Sequence, residues 1–258
     1  MLLFELQDPE ERFLNSIGLI YESIVIIIVI VLLILIYLKY REKRHELTLY
    51  LFAIFILYNL GILFSWMSKL FVVLRLDTVV GGYTPFGWFF YRIMSFRLSE
   101  LMICIAIFLS YILKVKLFHE GYYNKVHKYI VIIFGIITSI YVFLFYLYED
   151  TSFAVLLDTI AFLLTSIFMG MIYIPFFYRS LEAYKTVKEE QYKKAFLSLG
   201  IMSICYILIF VNFFLDRLLI LLLYIPGFTP FYYLAWILAI VATTGAYFGY
   251  IRPKAEEK

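Results

Sequence analysis

The chain has 258 residues, of which 64% are hydrophobic and only 16% charged, with a mean hydropathy of +0.93. No soluble domain of this length can hide that much apolar surface, so the bilayer must be its solvent. The formal net charge of +3 is too small to point to nucleic acid, and the cations mark membrane topology instead.

The chain opens on "MLLFELQDPEERFLNSIG". Acids stand where a signal peptide would carry its positive region, so residues 1–16 are expected to stay as a short extracellular tail. Seven apolar segments follow, at 17–38, 47–74, 88–113, 129–148, 153–178, 195–223 and 231–251. Each is long enough to cross the ~30 Å hydrocarbon core as a helix rising ~1.5 Å per residue. An open sheet could not satisfy its backbone there. The predicted fold is therefore an all-α membrane protein, a seven-transmembrane-helix bundle over 17–251 with a cytoplasmic tail at 252–258.

The connections sort by charge. "KYREKRHE" (39–46), "KVKLFHEGYYNKVHK" (114–128), "RSLEAYKTVKEEQYKK" (179–194) and "RPKAEEK" (252–258) hold most of the 22 Lys and Arg. On the opposite side, the tail and the loops at 75–87, 149–152 and 223–230 carry only Arg12 and Arg75 as cations. The positive-inside rule places the N-terminus outside and the C-terminus in the cytoplasm, and the expected location is the cell membrane.

Polar residues punctuate the segments. The first holds Glu22, and the second Asn59, Trp66 and Lys69. The third, from Trp88, carries Arg92, Arg97, Glu100 and Cys104. The fourth, "YIVIIFGIITSIYVFLFYLY", has no charge and suits a peripheral linker helix. The fifth holds Asp158, with Pro175 expected to kink or end it. The sixth holds Cys205, Asn212, Asp216 and Arg217. Both cysteines read as small buried hydrophobes, with nothing to support a disulfide between them. Interhelical hydrogen bonds are expected of Asn59, Asn212, Thr243 and Thr244. In the seventh, Ala235, Ala239, Ala242 and Ala246 stand at helical spacing beside Gly245 and Gly249. That face should pack within the bundle, with a homo-oligomer as the alternative use. "GYTPF" (82–86) opens the third segment and "GFTPF" (227–231) the seventh, so a 3+1+3 parallel repeat competes with a plain turn and cap before each helix.

Heights above each helix's cytoplasmic end, at ~1.5 Å per residue, put Glu100 about 21 Å up, Arg97 and Glu22 about 25 Å, Asp158 about 31 Å, Arg92 and Asp216 about 33 Å and Lys69 about 35 Å. Four cations (Lys69, Arg92, Arg97, Arg217) thus face four acids (Glu22, Glu100, Asp158, Asp216) in one outer layer. A charge at the bilayer centre costs about 2.5–3.5 kcal/mol on insertion scales, so Glu22, Arg97 and Glu100, the deepest of the set, are the most informative. Arg97 and Glu100 are an i, i+3 pair and can touch. On one continuous helix Arg92 could also reach Glu100. Two readings compete: charges that pair to lock helices together, and charges that line a cavity for a polar or anionic ligand, with Trp88 as a wall. Trp66 and Trp236 lie in the same half and are further wall or interface candidates.

The chain has no HExxH, no GxSxG and no phosphate loop. His45, His119 and His127 fall in cytoplasmic loops, and no metal-ligand spacing emerges. No motif points to an enzyme, although one built from scattered intramembrane residues stays open.

Seven helices with an outer N-terminus and an outer polar cluster resemble the rhodopsin-like and receptor-like plan. "GGYTPFGWFFYRIMSFRLSE" resembles the approach to the third helix of microbial rhodopsins, through Gly81, Gly82, Pro85, Trp88, then Arg92 or Arg97, then Glu100. That family binds retinal on a lysine of its seventh helix. "FYYLAWILAIVATTGAYFGYI" has none, so no retinal is expected. "YFGYIRPK" resembles the end of the seven-helix input modules of sensor kinases, and the 3+1+3 plan is similar to small sugar-type transporters without their Pro-Gln signature. The resulting expectation is a stand-alone receptor-like or sensor-like protein with a membrane or cytoplasmic partner. A structural subunit of a membrane complex and a small-solute transporter are the alternatives.

Overall fold

The computed structural model describes residues 9–43, 46–74, 76, 85–118, 125–144, 152–223 and 227–250. Residues 1–8, His45, Arg75, Gly81, Gly82, Thr84, His119 and the tail at 252–258 lie outside the described residues. The described chain forms eight helices: α1 (Pro9–Lys43), α2 (Glu46–Val73), α3 (Pro85–Met94), α4 (Arg97–Phe118), α5 (Lys125–Leu144), α6 (Ser152–Thr186), α7 (Glu190–Leu223) and α8 (Pro230–Tyr250). Among the described residues there is no strand. All of these helices but the ten-residue α3 are long and apolar enough to cross a membrane, as in a multi-pass membrane protein.

The helices run further than hydropathy alone suggested. α1 begins at Pro9, inside the stretch read as a tail. α6 passes through Pro175 without ending, and the connection to α7 shrinks to residues 187–189. The third apolar segment differs most. It is two helices, broken at Ser95–Phe96.

Packing follows chain order around a ring. α1 lies on α2, α2 on α4, α6 on α7 and α7 on α8, and the ring closes through α1 against α8 and α4 against α6. α5 packs on α4 and α6 at the edge, as a linker helix should. Its inward face is Val131, Gly135, Thr138 and Val142, while Ile130, Ile133, Ile137 and Ile140 face outward. A Cβ at Gly135 would sit 2.4 Å from Phe108 and 2.5 Å from Phe168, so glycine admits both rings. α1 behaves alike: Glu22, Val25, Val29 and Ile36 are buried, and Ile20, Ile24, Ile27 and Ile34 are exposed. Outward isoleucine on both helices is what lipid contact demands.

The small-residue face of α8 is used inside the chain. Ala235, Ala242 and Ala246 are fully buried, and a Cβ at Gly249 would meet Leu199 of α7 at 2.4 Å. That face is therefore not open to a second copy. α3 and α8 both start at the proline of their Thr-Pro pair, where a missing N–H is harmless and φ is preset. Both cysteines are buried and free. Asn212 and Thr243 bond back to Leu208 O and Ala239 O of their own helices, not across helices as expected.

The break in the third segment has a defined geometry. Ser95 N–H and Oγ both donate to Tyr91 O, and Phe96 N–H donates to Ile93 O, closing α3. Phe96 then takes φ 60°, and its carbonyl accepts from Glu100 N–H to start α4. A bulky residue in the left-handed region is strained by about 1–3 kcal/mol. Phe96→Gly loses the ring but relieves the backbone, whereas Phe96→Ala loses the ring and keeps the strain. The glycine variant should be the more stable of the two by about 1 kcal/mol, read as melting temperature in detergent. Equal melting temperatures would mean that residue 96 is not held left-handed.

Candidate functional site

The break decides where the third segment's charges go. Glu100 falls in the first turn of α4, where the helix dipole favours an acid. Arg97 opens α4 and is 3% exposed; Glu100 is 1% exposed. Arg97 Nη1 donates to Glu100 Oε2 at 3.0 Å, and Nη2 donates to Asp158 Oδ1 of α6. The second oxygen of Asp158 faces Arg217 Nε of α7 at 3.5 Å. Two guanidiniums and two carboxylates thus tie α4, α6 and α7 together.

A second network joins α1, α2 and α8. Glu22 Oε1 accepts from Lys69 Nζ at 2.8 Å, Ser65 Oγ at 2.8 Å and Tyr232 Oη at 2.6 Å. Lys69 also donates to Ser65 Oγ at 3.1 Å. Both Glu22 and Lys69 are buried. A lysine buried between apolar helices is tolerable only with its charge matched and its donors used, and both conditions hold here.

Phe96 stands between the networks. Its ring centroid lies 4.9 Å from Lys69 Nζ and 5.4 Å from the Arg217 guanidinium carbon. Each cation therefore gains a π face from one side chain, the one whose backbone makes the break.

The remaining predicted site residues lie elsewhere. Arg92 is on α3, with its guanidinium carbon 3.3 Å from the centroid of the Trp88 ring, and it donates to Trp88 O and to Phe143 O of α5. It anchors α3 to α5 from the far side of the break, and no bond between it and Glu100 is present. Trp88 is 41% exposed and belongs to this outer anchor, not to a pocket wall. Asp216 accepts from Thr229 N–H at 2.9 Å and Thr229 Oγ1 at 2.7 Å, capping the turn before α8. Trp66 donates to Ser23 Oγ at 2.8 Å. Six of the nine predicted residues (Glu22, Lys69, Arg97, Glu100, Asp158 and Arg217) thus enter the two networks. The sequence reading missed Ser65, Tyr232 and Phe96. Ser65 was legible as the residue one turn before Lys69. Nothing in the sequence singled out Tyr232 among 24 tyrosines.

Below the networks lies a cavity of about 80 Å³, walled by every membrane-length helix except α5. That is room for roughly six water-sized groups. Its upper wall includes Ser65, Phe96, Glu100 and Arg217, and Trp236 joins the aromatic body with Phe55, Tyr58, Tyr206, Phe213 and Tyr232. Beneath it Tyr173 Oη donates to Ser110 Oγ at 2.8 Å, and Tyr58 Oη lies 3.4 Å from Tyr173 Oη. The part of the bundle away from the ion pairs thus also holds hydrogen-bonded polar side chains. Among the described residues no His, Cys, Asp and Glu group has the makings of a metal site.

No known protein family, no curated protein and no solved structure matches this chain.

Lys69→Met alone leaves Glu22 buried without its cation, which should cost about 3–5 kcal/mol. Adding Glu22→Gln should return most of that loss, since an uncharged pair needs no compensation. Melting curves of the two single variants and the double variant test this. Losses that simply add would show that the two residues do not act as one unit.

Proposed function

We propose that this chain is a stand-alone receptor-like or sensor-like protein of the cell membrane, with its N-terminus outside and its C-terminus in the cytoplasm. A small ligand occupies the cavity between the helices. Its arrival changes how α4 is held against α6 and α7, and the basic cytoplasmic connections carry that change to a membrane or cytoplasmic partner.

One observation carries the reading. Glu100 and Arg217 belong both to the ion-pair network and to the cavity wall. Anything that fills the cavity therefore bears on the pairs that join three helices, which gives a ligand the unequal affinity for two arrangements that signalling requires. A lock made only for stability would not need a chamber beside it. The positive-inside pattern supports the orientation.

Two experiments test the reading. Asp158→Asn should weaken the hold on Arg97 and Arg217. Amide hydrogen exchange should then rise at the cytoplasmic ends of α4, α6 and α7, far from the substitution, by the 5- to 150-fold equivalent of about 1–3 kcal/mol of coupling. A rise confined to the outer ends would favour a purely structural subunit. For orientation, a cysteine at Lys188 in a background lacking Cys104 and Cys205 should react with an impermeant maleimide only in inside-out vesicles. Labelling from outside would reverse the topology.

A further inference from the structure

The cavity's chemistry narrows what it takes, and the inference rests on the cavity being a ligand site as proposed above. Arg97 occupies Oε2 of Glu100, while Oε1 has no hydrogen-bond partner among the described residues. The side chain is 1% exposed and forms part of the cavity wall. A buried carboxylate oxygen left without a donor carries a penalty of about 1–3 kcal/mol or more, and whatever supplies that donor recovers it. The two cations of the networks besides Arg97 are already engaged: Arg217 with Asp158 and the Phe96 face, and Lys69 with Glu22, Ser65 and three rings. The networks are charge-balanced, two against two and one against one, so no cation is in surplus for an anionic ligand. The rest of the chamber is aromatic and aliphatic, from Phe55 to Trp236.

We infer that the ligand is a small, mainly apolar molecule with a single hydrogen-bond-donor head, a hydroxyl or an amine, that donates to Glu100 Oε1 while its apolar body lies among the aromatic side chains below. A carboxylate or phosphate head is the poorer match, because it brings no donor to Glu100 Oε1 and sets an acid against an acid. Aromatic walls suit a flat or short-chain body, and they add a cation–π contribution for an ammonium head. The inference differs from the sequence-based expectation of a polar or anionic ligand in limiting the polar part to a single donor group.

The test uses four probes with one body: 3-phenylpropylamine, 3-phenylpropan-1-ol, propylbenzene and 3-phenylpropionate. The full-length protein in detergent carries Trp66→Phe and Trp88→Phe, so that fluorescence reports on Trp236 in the cavity wall. Ala239→Phe, which fills the chamber from α8, serves as the control for probe dissolved in the micelle. The amine and the alcohol should saturate the signal about tenfold or more tightly than propylbenzene, the phenylpropionate should not bind, and Ala239→Phe should abolish saturation. In Glu100→Gln the amide oxygen keeps Arg97 and the NH₂ turns to the chamber, so the preference should shift toward the carboxylate. The ranking on the protein with Glu100 in place stands without that variant if it fails to fold. Propylbenzene binding as tightly as the alcohol, or the carboxylate binding best, overturns the donor-head inference and leaves the cavity as a ligand site. No saturation by any probe, or saturation that survives Ala239→Phe, overturns the ligand site as well.

Discussion

The structure depends on one interruption. A helix that stops and restarts inside an apolar bundle exposes backbone groups that hydrocarbon cannot satisfy, so such a break survives only where polar groups are gathered around it. Here the chain turns at Ser95 and Phe96, and α4 restarts with Arg97 and with Glu100 in its first turn. The carboxylate and the guanidinium belong to a helix start, where their dipole interactions are favourable, and not to the middle of a continuous span. The strained Phe96 backbone turns its ring between Lys69 and Arg217, so the local irregularity also contacts charges of two other helices.

Buried ion pairs add little net stability, because desolvation offsets most of their attraction. Their value here is in specifying one arrangement. Asp158 holds Arg97 with one oxygen and faces Arg217 with the other, so α6 is fixed at once to α4 and α7. Glu22 gathers three donors from two helices on a single oxygen, fixing α1 to α2 and α8. The lower part of the bundle is held differently, by stacked rings such as Tyr58 and Tyr206 at 4.9 Å and by the close approach of α8 to α7. The cavity lies between the ion-pair level and this packed level, which carries only neutral polar contacts such as Tyr173 to Ser110.

Much of the fold was legible in the sequence. Seven apolar runs gave seven spans because backbone satisfaction in lipid allows a long apolar run no other form. The uncharged fourth segment read as an edge helix, and the small face of the seventh as a packing face, because each pattern has one inexpensive use in a bundle. The i, i+3 spacing of Arg97 and Glu100 likewise gave their pairing, since both stand on the same unbroken stretch. Counting residues along each helix also brought together the six charges that enter the networks, along with Arg92 and Asp216, which do not.

Three things were decided only by the tertiary structure. Hydropathy sums side chains and is blind to a backbone turn, so "YRIMSFRL" reads as continuous helix although Phe96 breaks it and sends Arg92 to Trp88 and α5. Which acid meets which base depends on the rotation of each helix about its axis, a quantity fixed by packing between helices and absent from any one segment's pattern. For the same reason Tyr232 and Phe96 joined the site unannounced, while Asp216 left it to cap Thr229. The sequence determined how many membrane-length helices there are. The assembled bundle determined which charges pair, and left one carboxylate oxygen beside an apolar chamber without a donor.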